Sequence, residues 1–498
     1  MMQFPAPELL DTLELALSSH AAFGNSDYIR QRQATCYRRR LHTLSPAMPV
    51  AGQLLNALNG ATQQVQLGNI GDTVLRCAIQ HAQRQTTTGE AYGLPLEHCA
   101  AVLQQAVHNV EAGRDEGVLL TGLQPRLRLH DSHLWHEEHA DDVAGRAFRY
   151  LMQDNYGSPL CTPTPQEIAM LQRGWQLLQQ LLPLASRSAL RHVQLIALFP
   201  KIGAWVEKAS SSQYRLNGTL FLSRDLIGNP WWVAEHLLHE SLHQKLYDFR
   251  HGHTLLTPGY QRDDAARICS LWNAPDASQS NHWDAHRAIA AFHVYVHLAL
   301  LCSVAEQREA ELAPAYGPID NMMSGSRRAI DRSRYLGRQI QTVGWNEYGE
   351  AGRRMVNWLM AVLDELDTAP RPDGAYAHLL LDLYQRQTRQ VEKFIAGGDR
   401  ALASQLQERM QQEVTGAEMA LSTAAATQER KRFRQVLDQL LSNDVATSYP
   451  AVRKLISKTL LEVSATQDLR ATENATGEMI KKMVQQSSMQ LSAMGVLV

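Results

Sequence analysis

The apolar positions in the first third of the chain recur at helical spacing. Apolar residues three and four apart predict amphipathic helices over Glu8–Leu17, Ala51–Leu58, Gly71–Gln85 and Leu96–Glu111. Glycines between these stretches predict connecting loops. Residues 1–185 are therefore predicted to form a helical N-terminal region.

The middle of the chain changes from helical to strand-like spacing. A helix pattern over Thr164–Leu182 leads to the apolar run Val193–Phe199, and the alternating stretch Thr219–Ser223 follows; both runs predict strands. The serines Ser210–Ser212 predict a turn between them. A long helix is then predicted to begin at Pro230, because proline is favoured in the first helical turn.

Helical patterns dominate the remainder. Arg250–Gly259 predicts a loop, Gln261–Trp272 a short helix, His282–Val304 a long apolar helix and Arg327–Gln341 a basic helix. The chain from Trp345 onward is again predicted to be helical, and Thr472–Val498 is predicted to be either a mobile tail or a partner helix. We therefore expect a mostly α fold with a small β-sheet (α+β): a helical region 1–185, a central domain 186–345 and a helical region 346–498.

Composition narrows the class of protein. With 44% hydrophobic and 20% charged residues in 498, the chain is ordinary globular material that can bury a large core. A net charge of −2 argues against a general binder of nucleic acid or anionic membranes. Six scattered cysteines without a CxxC pair predict reduced thiols, and no signal peptide or membrane span is evident. We expect a cytoplasmic protein.

The motif His239-Glu240-Ser241-Leu242-His243 lies within the helix predicted from Pro230. Histidines four residues apart share one helix face, so both imidazoles can reach one metal ion. Glu240 can face the metal's water or support a ligand. A strand followed by such a helix is typical of zincin-like enzymes, so the motif predicts a metal-binding catalytic domain. The alternative is a core helix with surface histidines.

A third ligand is needed. Metzincins place glycine and histidine where this chain has Leu246 and Phe249, and no glutamate occurs between His243 and Glu306 to serve as in gluzincins. The apolar helix that follows carries three histidines on one face, where burial is costly unless they are paired or ligating: His286, His293 and His297. His293, with His297 second, is the predicted partner in a three-histidine site for zinc or non-haem iron.

A second histidine-rich segment runs from His130 to Asp142. Its histidines recur every third residue, and this spacing does not hold four ligands on one helix face. The acidic residues among them are typical of a solvated surface. We therefore interpret this segment as a solvated helix start in preference to a second metal site.

Four segments carry a family resemblance: SSSQYRLNGTLFLS, WWVAEHLLHESLHQKLYDF, HRAIAAFHVYVHLALL and RSRYLG. In this order they resemble the HEXXH motif-containing peptide-modification proteins, which are encoded with ribosomally made, modified peptides. That family is described as α-ketoglutarate-dependent HExxH-type peptide β-hydroxylases. The resemblance covers Gln194–Gln341, roughly a third of the chain.

The resemblance implies a function and a set of site residues. His239, His243 and a histidine of the His293–His297 pair would hold Fe(II), and Glu240 would support a ligand or a water. An arginine of the basic helix, Arg332 with Arg334 behind it, would bind the far carboxylate of α-ketoglutarate. The partner would be a precursor peptide, hydroxylated at the β-carbon of one residue.

Two other functions stay open at this point. In a zinc metallopeptidase, Glu240 would act as the general base on the metal-bound water. In a helical scaffold without activity, the HExxH motif would be accidental. Replacing Glu240 by Gln would abolish peptidase activity. Replacing His239 and His243 by Ala would leave the function of a scaffold intact.

Overall fold

The protein is mostly helical with a small amount of strand, as predicted. Its structure is a computed structural model, which describes residues 5–20, 22–118, 128–129, 132–275, 280–319, 323–367, 376–397, 402–425, 427–442, 444–466 and 476–497. The helices up to the HExxH motif are α1 (Pro7–Ser19), α2 (Ser26–Leu44), α3 (Pro49–Gly60), α4 (Gln63–Ile70), α5 (Thr73–Thr88), α6 (Leu96–Glu111), α7 (Val143–Tyr156), α8 (Pro165–Leu181), α9 (Pro183–Leu190) and α10 (Pro230–Gly252). The helices after it are α11 (Ala285–Tyr316), α12 (Ser326–Thr342), α13 (Glu350–Leu366), α14 (Ala377–Ala396), α15 (Ala403–Ala424), α16 (Thr427–Leu441), α17 (Val445–Thr466) and α18 (Glu478–Ala493).

One five-stranded sheet precedes α10 along the chain. Its strands are β1 (Arg128–Leu129), β2 (Ser132–Leu134), β3 (Leu195–Phe199), β4 (Ser210–Ser212) and β5 (Thr219–Ser223), in the order β1-β2-β3-β5-β4. β2, β3 and β5 are parallel, whereas β4 runs antiparallel to β5 and forms an edge. A separate antiparallel pair, β6 (Ile268–Cys269) and β7 (His282–Trp283), lies later in the chain.

The chain divides into two compact units. The first comprises residues 1–260, 289–333 and 346–368, and the second comprises 261–288, 334–345 and 369–498. The boundaries of these units differ from those of the three predicted regions, because the N-terminal helices and the HExxH helix share one core. In that core β2 pairs with β3, and α2 and α8 pack on α10.

In the first unit α10 lies at the centre of the helical packing. It contacts α8, α2 and α9 and covers β4 and β5. The approach to α8 is close, because a Cβ at Gly174 would lie 2.3 Å from Val233 Cγ1, a separation that only glycine permits. Burial of α10 therefore depends on a small residue on its neighbour.

Asp248, near the end of α10, is the centre of a buried polar cluster. Its carboxylate accepts hydrogen bonds from Arg76 Nη1 (3.2 Å), His192 Nδ1 (2.6 Å), Asn217 Nδ2 (2.7 Å) and the Gln33 amide. These donors come from α5, the end of α9, the turn before β5 and α2. Burial pushes the pKa of Asp248 up, but the Arg76 guanidinium and the His192 hydrogen bond outweigh it and lower this pKa to about 2.

The second unit has its own buried ion pair. Helices α14, α15, α17 and α18 pack together, and Arg453 Nη1 lies 2.6 Å from Glu413 Oε1 among them. The hydroxyls of Tyr384 and Tyr449 donate to the same carboxylate at 2.6 and 2.8 Å. The charges are therefore satisfied inside the bundle, as buried charges must be.

Most predicted elements are confirmed. The helix Leu96–Glu111 and the strand Thr219–Ser223 have the predicted bounds, and a helix begins at Pro230. The turn predicted at Ser210–Ser212 is wrong, because these residues pair with β5 as strand β4. Helix α2 was not predicted, since five arginines interrupt its apolar positions.

Corrections also fall later in the chain. The helix predicted over Gln261–Trp272 is wrong, because strand β6 lies there, and α10 extends to Gly252, into the predicted loop. His282 belongs to β7, so the apolar helix begins at Ala285. Of the two alternatives for Thr472–Val498, the structure has a helix over Glu478–Ala493, which form α18, and not a mobile tail.

The second histidine-rich segment is in part the solvated helix start that was predicted. Glu137, Glu138 and Asp141 are exposed, and Asp142 caps the start of α7 at Val143. His133, however, is buried in β2. His130 lies outside the described residues. A strand therefore buries part of a sequence whose acidic composition indicates solvent.

Helix α11 is the single described helix that is long and apolar enough to cross a membrane. Its most apolar window is 83% buried within the protein. Such burial is typical of the core helix of a soluble protein.

We predict that Asp248→Asn lowers the free energy of unfolding by about 3–5 kcal/mol, because it leaves the buried Arg76 charge uncompensated. Asp27→Asn is the matched control, since Asp27 pairs with Arg191 at the surface and should contribute less than about 1 kcal/mol. Denaturant unfolding measures both. Equal, small losses in the two variants would contradict the role of this cluster.

The same cluster predicts acid sensitivity. The folded pKa of Asp248, about 2, lies below the usual 3.8, so its contribution is complete above about pH 4 and is lost as the pH falls toward 2. Unfolding of the native chain and of Asp248→Asn, followed from pH 5 to pH 2, should therefore converge at the acid end. A constant difference between them would contradict the assignment.

Candidate metal centre

The HExxH helix is fixed at its start by a cap. The Asn229 side chain accepts from the backbone N–H groups of Trp231 (2.8 Å) and Trp232 (3.2 Å), and Pro230 occupies the first turn. These contacts satisfy donors that a helix start leaves open. The direction of α10, and so of its motif, is set before the first histidine.

One face of α10 carries a continuous row of rings. Trp232 stacks on His236 with ring centroids 4.1 Å apart, and His236 and His239 follow at 6.0 Å. His239 and His243 are 5.1 Å apart, and Tyr247 lies 6.2 Å beyond His243. The two motif histidines are partly exposed while most of the helix is buried. This face is therefore the side of α10 that a ligand can reach.

His243 has an uncommitted nitrogen. Its buried Nδ1 has no hydrogen-bond partner among the residues that the structure describes. Burial and then the neighbouring His239 lower the pKa of His243 to about 4, against the opposing effect of Glu240. The imidazole is therefore neutral near pH 7, which is the form that binds metal ions.

Glu240 points toward the sheet. It is 3% exposed, and its Oε1 accepts a hydrogen bond of 2.5 Å from Ser210 Oγ on the edge strand β4. Burial raises the pKa of Glu240, but His239, His243 and the Ser210 hydroxyl outweigh it, so this pKa lies below its usual range. Glu240 thus links the motif helix to the edge strand as a carboxylate.

The histidine pair of α11 is fully buried. The rings of His293 and His297 are 4.6 Å apart, and His297 Nδ1 donates to the His293 carbonyl oxygen at 2.8 Å. His293 Nδ1 has no partner within the described part of the chain. Burial lowers the pKa of His293, and His297, Lys245 and His243 lower it further. Burial and Lys245 also lower the pKa of His297, for which no effect of His243 is resolved. His293 is therefore the α11 histidine whose titration depends on the motif.

The donor set suits a metal ion without being assembled around one. No three His, Cys, Asp or Glu side chains among the described residues converge closely enough to hold a metal as they stand. Two histidine pairs are present, His239 with His243 and His293 with His297. Neutral imidazoles with uncommitted nitrogens fit zinc or iron chemically, so the four-residue ligand assignment stays a prediction.

The carboxylates that could replace a histidine ligand are engaged elsewhere. Glu306 accepts from the backbone N–H of Ser326 (2.7 Å) and from its hydroxyl (2.5 Å, at the other oxygen). Glu235 accepts in the same way from Ser324. Both glutamates therefore hold the chain near the start of α12.

The predicted co-substrate arginines have different surroundings. Arg332 lies over Tyr295, with Nη1 3.4 Å from the tyrosine hydroxyl. Tyr295 is two residues from His293, so these two side chains leave α11 on different sides. Arg334 is buried and belongs to the second unit, as does His286. The assignment of Arg332 and Arg334 to α-ketoglutarate stays a prediction.

Three residues near the site were not predicted. Ser210 donates a hydrogen bond to Glu240, and Tyr247 lies beside His243. Burial lowers the pKa of the third residue, Lys245, to about 7, and Lys245 in turn lowers the pKa of both α11 histidines. Tyr247 follows His243 by four residues and was available from helical spacing. Ser210 was not, because its contact depends on strand pairing.

Comparison with known proteins adds no relative. A scan against protein-family models found no match to this chain, and a search of curated proteins found none either.

We predict that Ser210→Ala lowers the free energy of unfolding by about 1.5–3 kcal/mol, because it removes a hydrogen bond to a buried carboxylate. Ser223→Ala is the matched control: this buried hydroxyl of the same sheet has no partner among the described residues. Denaturant unfolding of both variants measures the difference. A Ser210→Ala loss no larger than that of the control would contradict the contact.

Proposed function

We propose that this chain is a non-haem Fe(II)- and α-ketoglutarate-dependent hydroxylase that acts on a ribosomally made peptide. His239, His243 and His293 would hold the iron. One observation carries the proposal. Ring nitrogens of His243 and His293 have no hydrogen-bond partner among the described residues, whereas the carboxylates of Glu235 and Glu306 accept hydrogen bonds from Ser324 and Ser326. The resemblance of residues 194–341 to peptide β-hydroxylases supplies the reaction.

His293 is preferred over His297 as the third ligand. His243 contributes to lowering the pKa of His293, and no such effect is resolved for His297. His297 donates Nδ1–H along its own helix, which leaves Nε2 available and keeps it the second candidate. Assembly of the three ligands would require the α10 and α11 histidines to meet at one ion. Both pairs belong to the first unit, and His243 contributes to lowering the pKa of His293, which supports this pairing.

The edge strand supports a peptide as substrate. Among the described strands, β4 ends the sheet and pairs only with β5, so an extended peptide could add along its other side. Ser210 of this strand touches Glu240, which is next to His239. A strand and an HExxH helix in this order are also the zincin-like arrangement, and a bound peptide would pass the histidine face of α10.

The protein's own residues would position the reactants. Iron with α-ketoglutarate and dioxygen supplies the oxidising chemistry when bound. Glu240, held by Ser210, would orient a ligand or a water beside His239, and the apolar packing around α10 would limit access of water. Arg332 is the candidate for binding the far carboxylate of the co-substrate, a geometry that suits arginine.

The activity test is a turnover assay on anaerobically purified protein given Fe(II), α-ketoglutarate and air. We predict succinate formation that depends on iron and is lost in His239→Ala. Because turnover without peptide can be slow, α-ketoglutarate binding is measured in the same samples. Tightly held zinc with neither succinate nor α-ketoglutarate binding would contradict the proposal and favour a peptidase with Glu240 as general base.

The two α11 histidines give a matched pair for the third ligand. We predict that His293→Ala lowers iron affinity at least about tenfold, since even partners outside the ligand set contribute that much. His297→Ala, which removes an equally buried neighbour, should retain iron. Metal content after dialysis at graded free iron measures both, and the opposite ranking would move the ligand assignment to His297.

A further inference from the structure

A cleft in the second unit has the properties of a binding site that is independent of the metal centre. It has a volume of about 500 Å³, within the range of small-molecule pockets. One wall is α14, and the others are the segment Trp272–Ala274 and the chain around Leu497. None of the residues that line it is acidic.

Three cations share the wall that α14 provides. At 100° per residue, Arg386, Arg389 and Lys393 fall within about 60° of one another. Arg386 is engaged, since it donates to the Trp272 carbonyl oxygen and lies 3.4 Å from Asp382. The side chains of Arg389 and Lys393 make no hydrogen bond or ion pair with any residue that the structure describes.

This grouping is unfavourable without a counter-charge. Like charges four residues apart on a helix repel one another. The other acidic residue of α14, Glu392, pairs with Lys454 at 2.5 Å. An anion bound at Arg389 and Lys393 would relieve this repulsion and form charge-assisted hydrogen bonds.

The rest of the cleft suits an apolar body beside the anionic group. Trp272 is fixed by edge contacts with Trp283 (5.7 Å) and Tyr335 (5.9 Å), and the Arg386 hydrogen bond holds its backbone to α14. Trp272 and Leu383 are buried behind the cleft, the partly exposed Leu497 gives it apolar surface, and Asn273 adds an amide. The wall is therefore built in advance, which lowers the cost of binding.

We propose that this cleft binds a small organic anion, a carboxylate or phosphate on an apolar body, with its charge at Arg389 and Lys393 and its body against Leu497. The site lies wholly within the second unit and does not depend on the hydroxylase proposal. Its ligand would serve as a separate substrate group or effector.

The test is calorimetric titration of the full-length protein with benzoate, phenyl phosphate and the neutral benzamide. We expect one or both anions to bind at least tenfold more tightly than benzamide, and their ranking identifies the anionic group. In the double variant Arg389→Gln/Lys393→Gln, anion affinity should fall at least tenfold. Arg432→Gln, an exposed arginine of α16 outside the cleft, should bind as the native chain does.

Failure of both anions to bind the full-length protein would overturn the proposal. Equal affinity for benzamide, or unchanged anion binding by the double variant, would overturn it too. Both substituted residues are exposed on α14, and far-UV circular dichroism checks that the double variant keeps its helices.

Discussion

Burial of α10 is the constraint on which the first unit depends. A helix that is covered on most sides must find a partner for each polar group it takes inside. The buried polar residues of α10 do so in separate parts of the chain: Glu235 with Ser324, Glu240 with Ser210, Gln244 with Gly218 and Thr219, Lys245 with Gly24 and Ser188, and Asp248 with Arg76 and His192. Each pairing fixes a different neighbouring element against α10.

This matching explains why one face stays available. The rings of His236, His239, His243 and Tyr247 are polar groups of α10 that the surrounding elements do not cover completely. His243 and His293 keep buried ring nitrogens without hydrogen-bond partners among the described residues. Buried polar atoms left open in this way are costly to the fold, which is consistent with selection for binding.

Local sequence patterns were sufficient for some of these elements. Regular apolar spacing predicted α6 and β5 with their bounds, and Asn229-Pro230 predicted the start of α10, because caps and periodicity act over a few residues. Helix α2 was not predicted, because the burial of its Tyr37 and Gln33 depends on contacts with α5 and α10 and not on its own arginine-rich pattern. Strand β4 was not predicted, because three consecutive serines are typical of a turn and form a strand here only by pairing with β5. The same distinction holds for the site. The HExxH spacing is local and can be read from the sequence, whereas the Ser210 contact and the third ligand depend on long-range packing.

We propose that three histidines, two from α10 and one from α11, hold one iron ion. X-ray absorption at the iron edge of anaerobically loaded protein counts the imidazole ligands directly. We predict scattering from three imidazoles in the native chain and from two in His293→Ala. A native spectrum with two imidazoles and a protein carboxylate, or one unchanged by His293→Ala, would contradict it.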